Sequence, residues 1–247
     1  MTTRPGNRLY VPDSLASDTV LCLNGERSHY AGRVLRLRIG DEVLLFNGDG
    51  GEFGAVITDV SRSAVKLHVG SRRERVVESP LKVNLVQGVS RGERMDIVVQ
   101  KATELGVFRI TPVMSAHSVV RLDGDKRDKR AAHWTKIAQG ACEQCGRTVV
   151  PLVEPPRSFK SWIEGLMPGD SERLVLHPGT GASLSGLRHL PQSVQLLIGP
   201  EGGLSAAELD QATAAGFTAC TLGPRILRTE TAAIAAIAIL QSCYGDL

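Results

Sequence analysis

Up to about Val69 the apolar and polar positions alternate in short runs, Glu42–Phe46, Glu52–Val60 and Ala64–Val69, with the turn-forming Asn47-Gly48-Asp49-Gly50-Gly51 between the first two. Alternate residues of a strand face opposite sides, so this period predicts half-buried strands in hairpins, the pattern of a small β-barrel or sandwich. Ser71–Pro80 is charged, ends in proline and predicts a linker. Beyond it the period lengthens. Leu81–Val89 and Phe108–Val113 predict strands, and between them Met95, Val98, Val99, Ala102 and Leu105 recur at helical spacing over Glu93–Leu105. Helices are expected over roughly Lys126–Gln144 and near Phe159–Leu166, then strands at Arg173–His177, Val194–Ile198 and Phe217–Thr221, the last two each followed by a helix. Strands and helices that alternate through short connections predict an α/β C-terminal domain with a mainly parallel sheet.

A chain of 247 residues holds one or two domains with a substantial core. Its five cysteines, odd in number and irregular in spacing, describe no disulfide framework and point to a reducing, cytoplasmic setting. The opening MTTRPGNRLYVP has no signal-peptide core, and the longest apolar stretch, Thr231–Leu240, is too short to span a bilayer, so no membrane role is expected. A net charge of +3 argues little for nucleic acid by itself. Basic residues gather locally at Arg33, Arg36 and Arg38, at Arg72, Arg73 and Arg75, and at Lys126, Arg127, Lys129 and Arg130, any one of which reads as solvated surface when taken alone. Aromatics make up only 4%, against a stacking platform for single strands; an RNA ligand would be held through phosphates and shape.

Several constellations carry less than their spacing suggests. Cys142-Glu143-Gln144-Cys145 lies inside a helical pattern with no second pair at zinc-finger distance, so no metal is expected. Gly179-Thr180-Gly181 follows a strand and faintly resembles a dinucleotide loop, but position 184 is Leu and the run does not open the first β-α-β unit. No P-loop run is present. Of the isolated histidines 117, 133, 177 and 189, only His177 closes a predicted strand.

Two Gly-Pro loops are more informative, Gly199-Pro200-Glu201-Gly202-Gly203 and Leu222-Gly223-Pro224-Arg225-Ile226-Leu227-Arg228-Thr229-Glu230-Thr231. Each follows an apolar strand and leads into a helix, so the two could build one pocket at the ends of neighbouring parallel strands. Thr229 suits an N-cap and Glu230 the first turn of the helix, which accounts for both without function. Arg225 and Arg228 gain nothing from the positive end of that dipole and are placed to meet an anion.

These loops, together with Gly92-Glu93-Arg94-Met95-Asp96, the run from Gln100 to Val107, Glu143-Gln144 with Arg147, and the N-terminal His29, Arg33-Val34-Leu35-Arg36 and Gly40-Asp41, make the chain resemble the RsmE family. Its members are 16S rRNA N3-methyluridine methyltransferases of the SPOUT class. The likeness runs in order along essentially the whole chain; Cys145 departs from it where a small polar residue is expected.

The resemblance implies a PUA-like β-barrel for RNA docking over residues 1–71, a linker over 72–80 and an α/β SPOUT methyltransferase domain over 81–247. In that domain a deep trefoil knot would hold S-adenosylmethionine, with knot and methyl-donor site at roughly residues 174–232. Carried over residue by residue, the donor site is Leu176, His177 and Gly179, then Gly199, Glu201 and Gly202, then Leu222, Gly223, Ile226 and Leu227. The substrate would be 16S rRNA in the small ribosomal subunit. The enzyme would be a homodimer, and the alanine face of the last helix, with Ile234 and Ile237, would pack closely at the dimer interface or on the sheet.

Methylating N3 of uracil requires alignment with the methyl group and stabilisation of the anion left when the imide proton departs. Arg228 and Arg225 are the candidates for stabilising the uracil oxygens or orienting a phosphate, and Glu230 is the candidate proton acceptor unless capping is its whole role. Arg8, Arg33, Arg36 and Arg38 are the candidate RNA contacts of the N-terminal domain. A ribose 2′-O-methyltransferase of the same class would carry an Asn-rich final motif where this chain has Arg228-Thr229-Glu230-Thr231, and a noncatalytic scaffold would not need the glycines of both loops.

Overall fold

A computed structural model of the chain describes residues 7–167, 169, 171–179, 181–186 and 192–247. The MTTRPG opening, Thr180 and His189 lie outside the described residues. The chain forms two compact units, residues 1–78 with 142–150, and residues 79–141 with 151–247.

In the first unit, β1 (Asn7–Tyr10) and β2 (Thr19–Asn24) precede a helical turn α1 (Glu26–His29) that continues as a π-helical turn over Tyr30–Val34; β3 (Glu42–Phe46), β4 (Gly51–Val60) and β5 (Ala64–Glu74) follow. The strands hydrogen-bond in the order β1-β3-β4-β5-β2, with β1 parallel to β3 and the remaining pairs antiparallel. The turn between β3 and β4 is glycine-rich because Gly48 and Gly50 sit at φ of 96° and 93°, where a side chain is strained. Alternation delivers Val43 and Leu45, Phe53, Ala55 and Ile57, and Val65, Leu67 and Val69 to one core. β5 extends to Glu74, so the linker expected from residue 72 begins inside a strand: the pairing of Arg72, Arg73 and Glu74 with Phe53, Glu52 and Gly51 outweighs their charge. The segment 142–150 also counts with this unit, which a division of the sequence into consecutive domains could not express.

The second unit opens with β6 (Lys82–Gly88), α2 (Glu93–Glu104) and β7 (Arg109–Met114), followed by α3 (Asp125–Cys145), whose last turn belongs to the first unit. The short β8 (Leu152–Val153) and β9 (Arg157–Ser158), then α4 (Phe159–Glu164), β10 (Glu172–Leu176) and β11 (Ala182–Ser183) lead to β12 (Ser193–Ile198), α5 (Ala206–Ala214), β13 (Thr218–Thr221) and α6 (Thr229–Tyr244). All ladders are parallel, in the order β11-β13-β10-β12-β6-β7-β8, and β9 also pairs with β7. Leu196, Leu197 and Ile198 are buried in succession because a parallel sheet is covered on both faces. Phe159 and Trp162 of α4 and Ala212 of α5 pack with Val86, Val113, Val175 and Leu197 on one face. Among the described residues no helix is long and apolar enough to cross a membrane.

Candidate active site

A cavity of about 620 Å³ opens at the carboxyl ends of β10, β12 and β13, entirely within the second unit. Three loop segments and Arg94 of α2 form it, the segments being Leu176 to Pro178, Ile198 to Leu204, and Cys220 to Leu222 continuing from Arg225 into α6. The two Gly-Pro loops do converge, although their strands are not neighbours, because β10 lies between β12 and β13 and places His177 between the loops. The expected positions Leu176, His177, Gly199, Glu201, Gly202, Leu222, Ile226 and Leu227 line the cavity. Gly179 and Gly223 stand just outside that lining and shape its turns instead, at φ of 85° and 105°.

The loop after β12 is fixed from several sides. A Cβ on Gly199 would lie 2.8 Å from the Gly203 carbonyl carbon, and one on Gly202 2.9 Å from His117 Cβ, so both must remain glycine for the loop to fold back this tightly. His117 Nδ1 lies 2.9 Å from the Gly202 carbonyl oxygen. α5 begins with a capping box between Ser205 and Glu208, and the same buried Glu208 accepts the Ala116 N–H at 2.7 Å.

Thr229 corrects an expectation. The N-cap of α6 is Arg228, whose side chain makes no capping bond, and Thr229 is the first helical residue. Its buried hydroxyl donates to the Gly199 carbonyl at 2.7 Å, which ties the second loop to the first.

The charged wall of the cavity contains Arg94, Glu201, Arg225, Arg228 and Glu230. Arg225 and Arg228 are exposed to the cavity and pair with no acid among the described residues. Glu230 is mostly buried; its Oε1 is 4.0 Å from Arg94 Nε, and its buried Oε2 has no hydrogen-bond partner among the described residues. Arg94 was not expected here. It reaches the site from the first turn of α2 and bonds Glu201 at 2.7 Å. Glu201 also accepts the Arg91 N–H at 3.0 Å; burial opposes its charge, yet these bonds and the Arg94 charge prevail and hold its carboxyl below the usual carboxylate range. The only local signal for Arg94 was a cation in the first turn of a helix, where the dipole does not favour it.

Arg8 requires a further correction. It is buried, pairs with Glu52, donates to the Arg147 carbonyl at 3.1 Å and lies 4.9 Å from the Phe46 ring centroid, so it holds the first unit together and has no face for a phosphate. Arg33, Arg36 and Arg38 are exposed, and Arg36 adopts φ of 55°, the left-handed region that side chains avoid. Cys142 is buried, and burial pushes its thiol up to about 12.

A profile described as an RNA methyltransferase domain matches residues 77–241, and one described as an RNA methyltransferase PUA domain matches residues 23–69. Ribosomal RNA small subunit methyltransferase E of Bacillus subtilis is 35% identical over 228 residues, covering 89% of this chain and 88% of that protein. The chain belongs to the ribosomal RNA small subunit methyltransferase E family. The methyltransferase E of Buchnera aphidicola (Acyrthosiphon pisum symbiont) is 34% identical, with 97% of this chain and 94% of that one aligned. Among solved structures, the methyltransferase E of Neisseria gonorrhoeae, bound to S-adenosyl methionine, is 37% identical with a TM-score of 0.90, covering 98% of this chain and 99% of that one. A putative methyltransferase of Legionella pneumophila, in complex with bound cofactor SAM, is 40% identical with a TM-score of 0.93, covering 98% and 99%. Membership of the methyltransferase E family gives the two parts of the α/β chain their descriptions, a PUA domain followed by an RNA methyltransferase domain.

Proposed function

We propose that this chain is an S-adenosylmethionine-dependent methyltransferase that methylates N3 of one uridine in 16S rRNA of the small ribosomal subunit. The observation that carries the reading is the cavity at the carboxyl ends of β10, β12 and β13, which glycine backbone lines together with two arginines that pair with no acid, and a carboxylate with one oxygen unpartnered, among the described residues. Charged groups that converge on a cleft without satisfying one another mark a candidate catalytic site.

The cavity suits the donor. Its volume lies within the usual range for small-molecule sites, and the side-chain-free backbone of Gly199 and Gly202 lets polar main-chain groups approach a ligand, beside the apolar Leu176, Leu222 and Leu227. When bound, S-adenosylmethionine supplies an electrophilic methyl group on a sulfonium. Arg228, with Arg225, draws negative charge onto the uracil oxygens, and the Glu230 carboxylate receives the N3 proton. Arg94 stands between Glu201 and Glu230 and offsets the repulsion of the two carboxylates.

Three finer features belong to the same reading. The segment from β13 to α6 is the threaded part of a trefoil knot, supported by β13 lying beyond β10 from β12 while Thr229 returns to Gly199 at the end of β12. The N-terminal sheet curls as a PUA-like barrel, for which the register shifts of β4 at Phe53/Ala55 and Ile57/Asp59 supply the bends. It docks RNA through the exposed Arg33, Arg36 and Arg38, whose phosphate contacts supply affinity and register without reading bases. The enzyme is a homodimer acting in the cytoplasm, where its substrate is.

The test is incubation with labelled S-adenosylmethionine and unmethylated small ribosomal subunits, followed by nucleoside analysis of the rRNA. N3-methyluridine at a single position is the expected product. Label on ribose would overturn the base specificity, and donor binding without transfer would remove 16S rRNA as the substrate.

A further inference from the structure

Gln87, the penultimate residue of β6, is fully buried and is not part of the cavity wall. Its Nε2 donates to Thr229 Oγ1 at 2.9 Å, and that hydroxyl donates in turn to the Gly199 carbonyl at 2.7 Å. Nε2 also faces the carbonyl oxygens of Gly88 and Gly199 at 3.2 and 3.5 Å. One side-chain amide thus joins a central strand, the loop after β12 and the first turn of α6. Thr229 stands between Arg228 and Glu230, and Gly199 opens the loop that carries Glu201.

The direction of this chain of bonds is set by its chemistry. With the amide reversed, Oε1 and the Gly199 carbonyl would compete for the single hydroxyl proton of Thr229. In the observed direction Gln87 Oε1 is left buried with no partner among the described residues. An unmet buried acceptor opposes folding, and an apolar residue of similar length would avoid that cost. The cost of the unmet Oε1 offsets what the Nε2 bonds contribute, so the distinctive use of glutamine here is directional: it ties the two loops of the cavity together.

We propose that Gln87 is a positioning residue for methyl transfer, acting through Thr229 to hold the start of α6, with Arg228 and Glu230, at a set distance from the Gly199 loop. The inference rests on the methyltransferase reading. Misplacing a reacting group by about 1 Å can lower a rate by about 10²-fold, which sets the scale of the expected effect.

The experiment compares wild type, Gln87→Met, Thr229→Val, Thr229→Ser and the Gln87→Met/Thr229→Val double variant. The readouts are Tm, donor affinity by calorimetry, kcat for methyl transfer and amide hydrogen exchange of the ligand-free protein. Gln87→Met is expected to keep or raise Tm, to lower kcat about 10²-fold, and to speed exchange at residues 199–203 and 229–232. Thr229→Val should lose rate similarly, Thr229→Ser should recover it, and adding Gln87→Met to Thr229→Val should cost nothing further, because both act through one hydroxyl. Wild-type kcat with unchanged exchange in Gln87→Met overturns the proposal, as does a rate loss accompanied by a collapse in Tm, or losses that multiply in the double variant. If wild type itself transfers no methyl group, the functional reading fails separately, and the exchange rates alone decide whether Gln87 holds the two loops.

Discussion

Glu201 and Glu230 line the same cavity and differ in what occupies their oxygens. Glu201 accepts bonds from the Arg91 N–H and from Arg94, both at Oε1, and these hold its charge. Among the described residues Glu230 keeps one oxygen without a hydrogen-bond partner, and in the proposed reaction this carboxylate takes the N3 proton. Glu230→Gln preserves shape and removes basicity; kcat should fall by about 10²–10⁴-fold, and the pH dependence of kcat measured alongside wild type should change. An unchanged rate and profile would leave Glu230 a helix-terminus residue. Arg228→Ala should lower kcat by about 10²–10³-fold with saturating RNA and donor, while calorimetry shows donor affinity within a few-fold of wild type. Glu230 suits a helix N-terminus, and Arg228 stood out as a candidate because an arginine there has no local use. Arg94 carries the same local signal, but its partners are 107 and 136 residues away along the chain, so the sequence did not place it in the cavity. Arg8 misled for the complementary reason: nothing near it in sequence announces Glu52.

The elements of the second unit follow the periodicity closely, since long apolar runs in a parallel sheet and the stripe of α2 state their own burial. Short elements escape it. β8, β9 and β11 have two residues each, too few for any period, and exist because a neighbouring strand offers backbone partners. The extension of β5 to Glu74 is of the same kind. α4, expected near Phe159–Leu166, has only six residues and is held by tertiary packing: Trp162 meets Phe159 and Phe217 edge-on at centroid distances of 5.4 and 5.7 Å. Trp162→Ala should therefore destabilise the second unit by about 3–5 kcal/mol in denaturant unfolding, and Trp162→Phe by clearly less. A loss under about 1 kcal/mol would mean that α4 contributes little to the core.

At the scale of the whole molecule, residues 142–150 belong with the N-terminal strands, and Glu143 shows the consequence. Burial pushes its carboxyl above the usual range, opposed by the N–H of Tyr10 at 2.9 Å, the Tyr30 hydroxyl at 3.3 Å and the charge of Arg8. A carboxyl raised on folding favours the folded state while protonated, below its unfolded value, and that contribution is lost as pH rises through the folded value. Glu143→Gln, which retains an acceptor for Tyr10, should therefore raise Tm at neutral pH, and the gap to wild type should close as pH falls below about 4. A lower Tm for the variant at neutral pH would show that the Arg8 charge outweighs burial. The sequence by itself determined what is local or periodic: a β-rich part followed by a parallel α/β part, and two glycine loops at strand ends, each set by side-chain alternation or by backbone that only glycine allows. Tertiary structure alone decided that β10 separates β12 from β13, that Thr229 bonds Gly199 where a cap was expected, and that Gln87 and Arg94 serve the same cavity. Strand order and long-range hydrogen bonds depend on which surfaces meet when the chain closes, and no local pattern encodes that meeting.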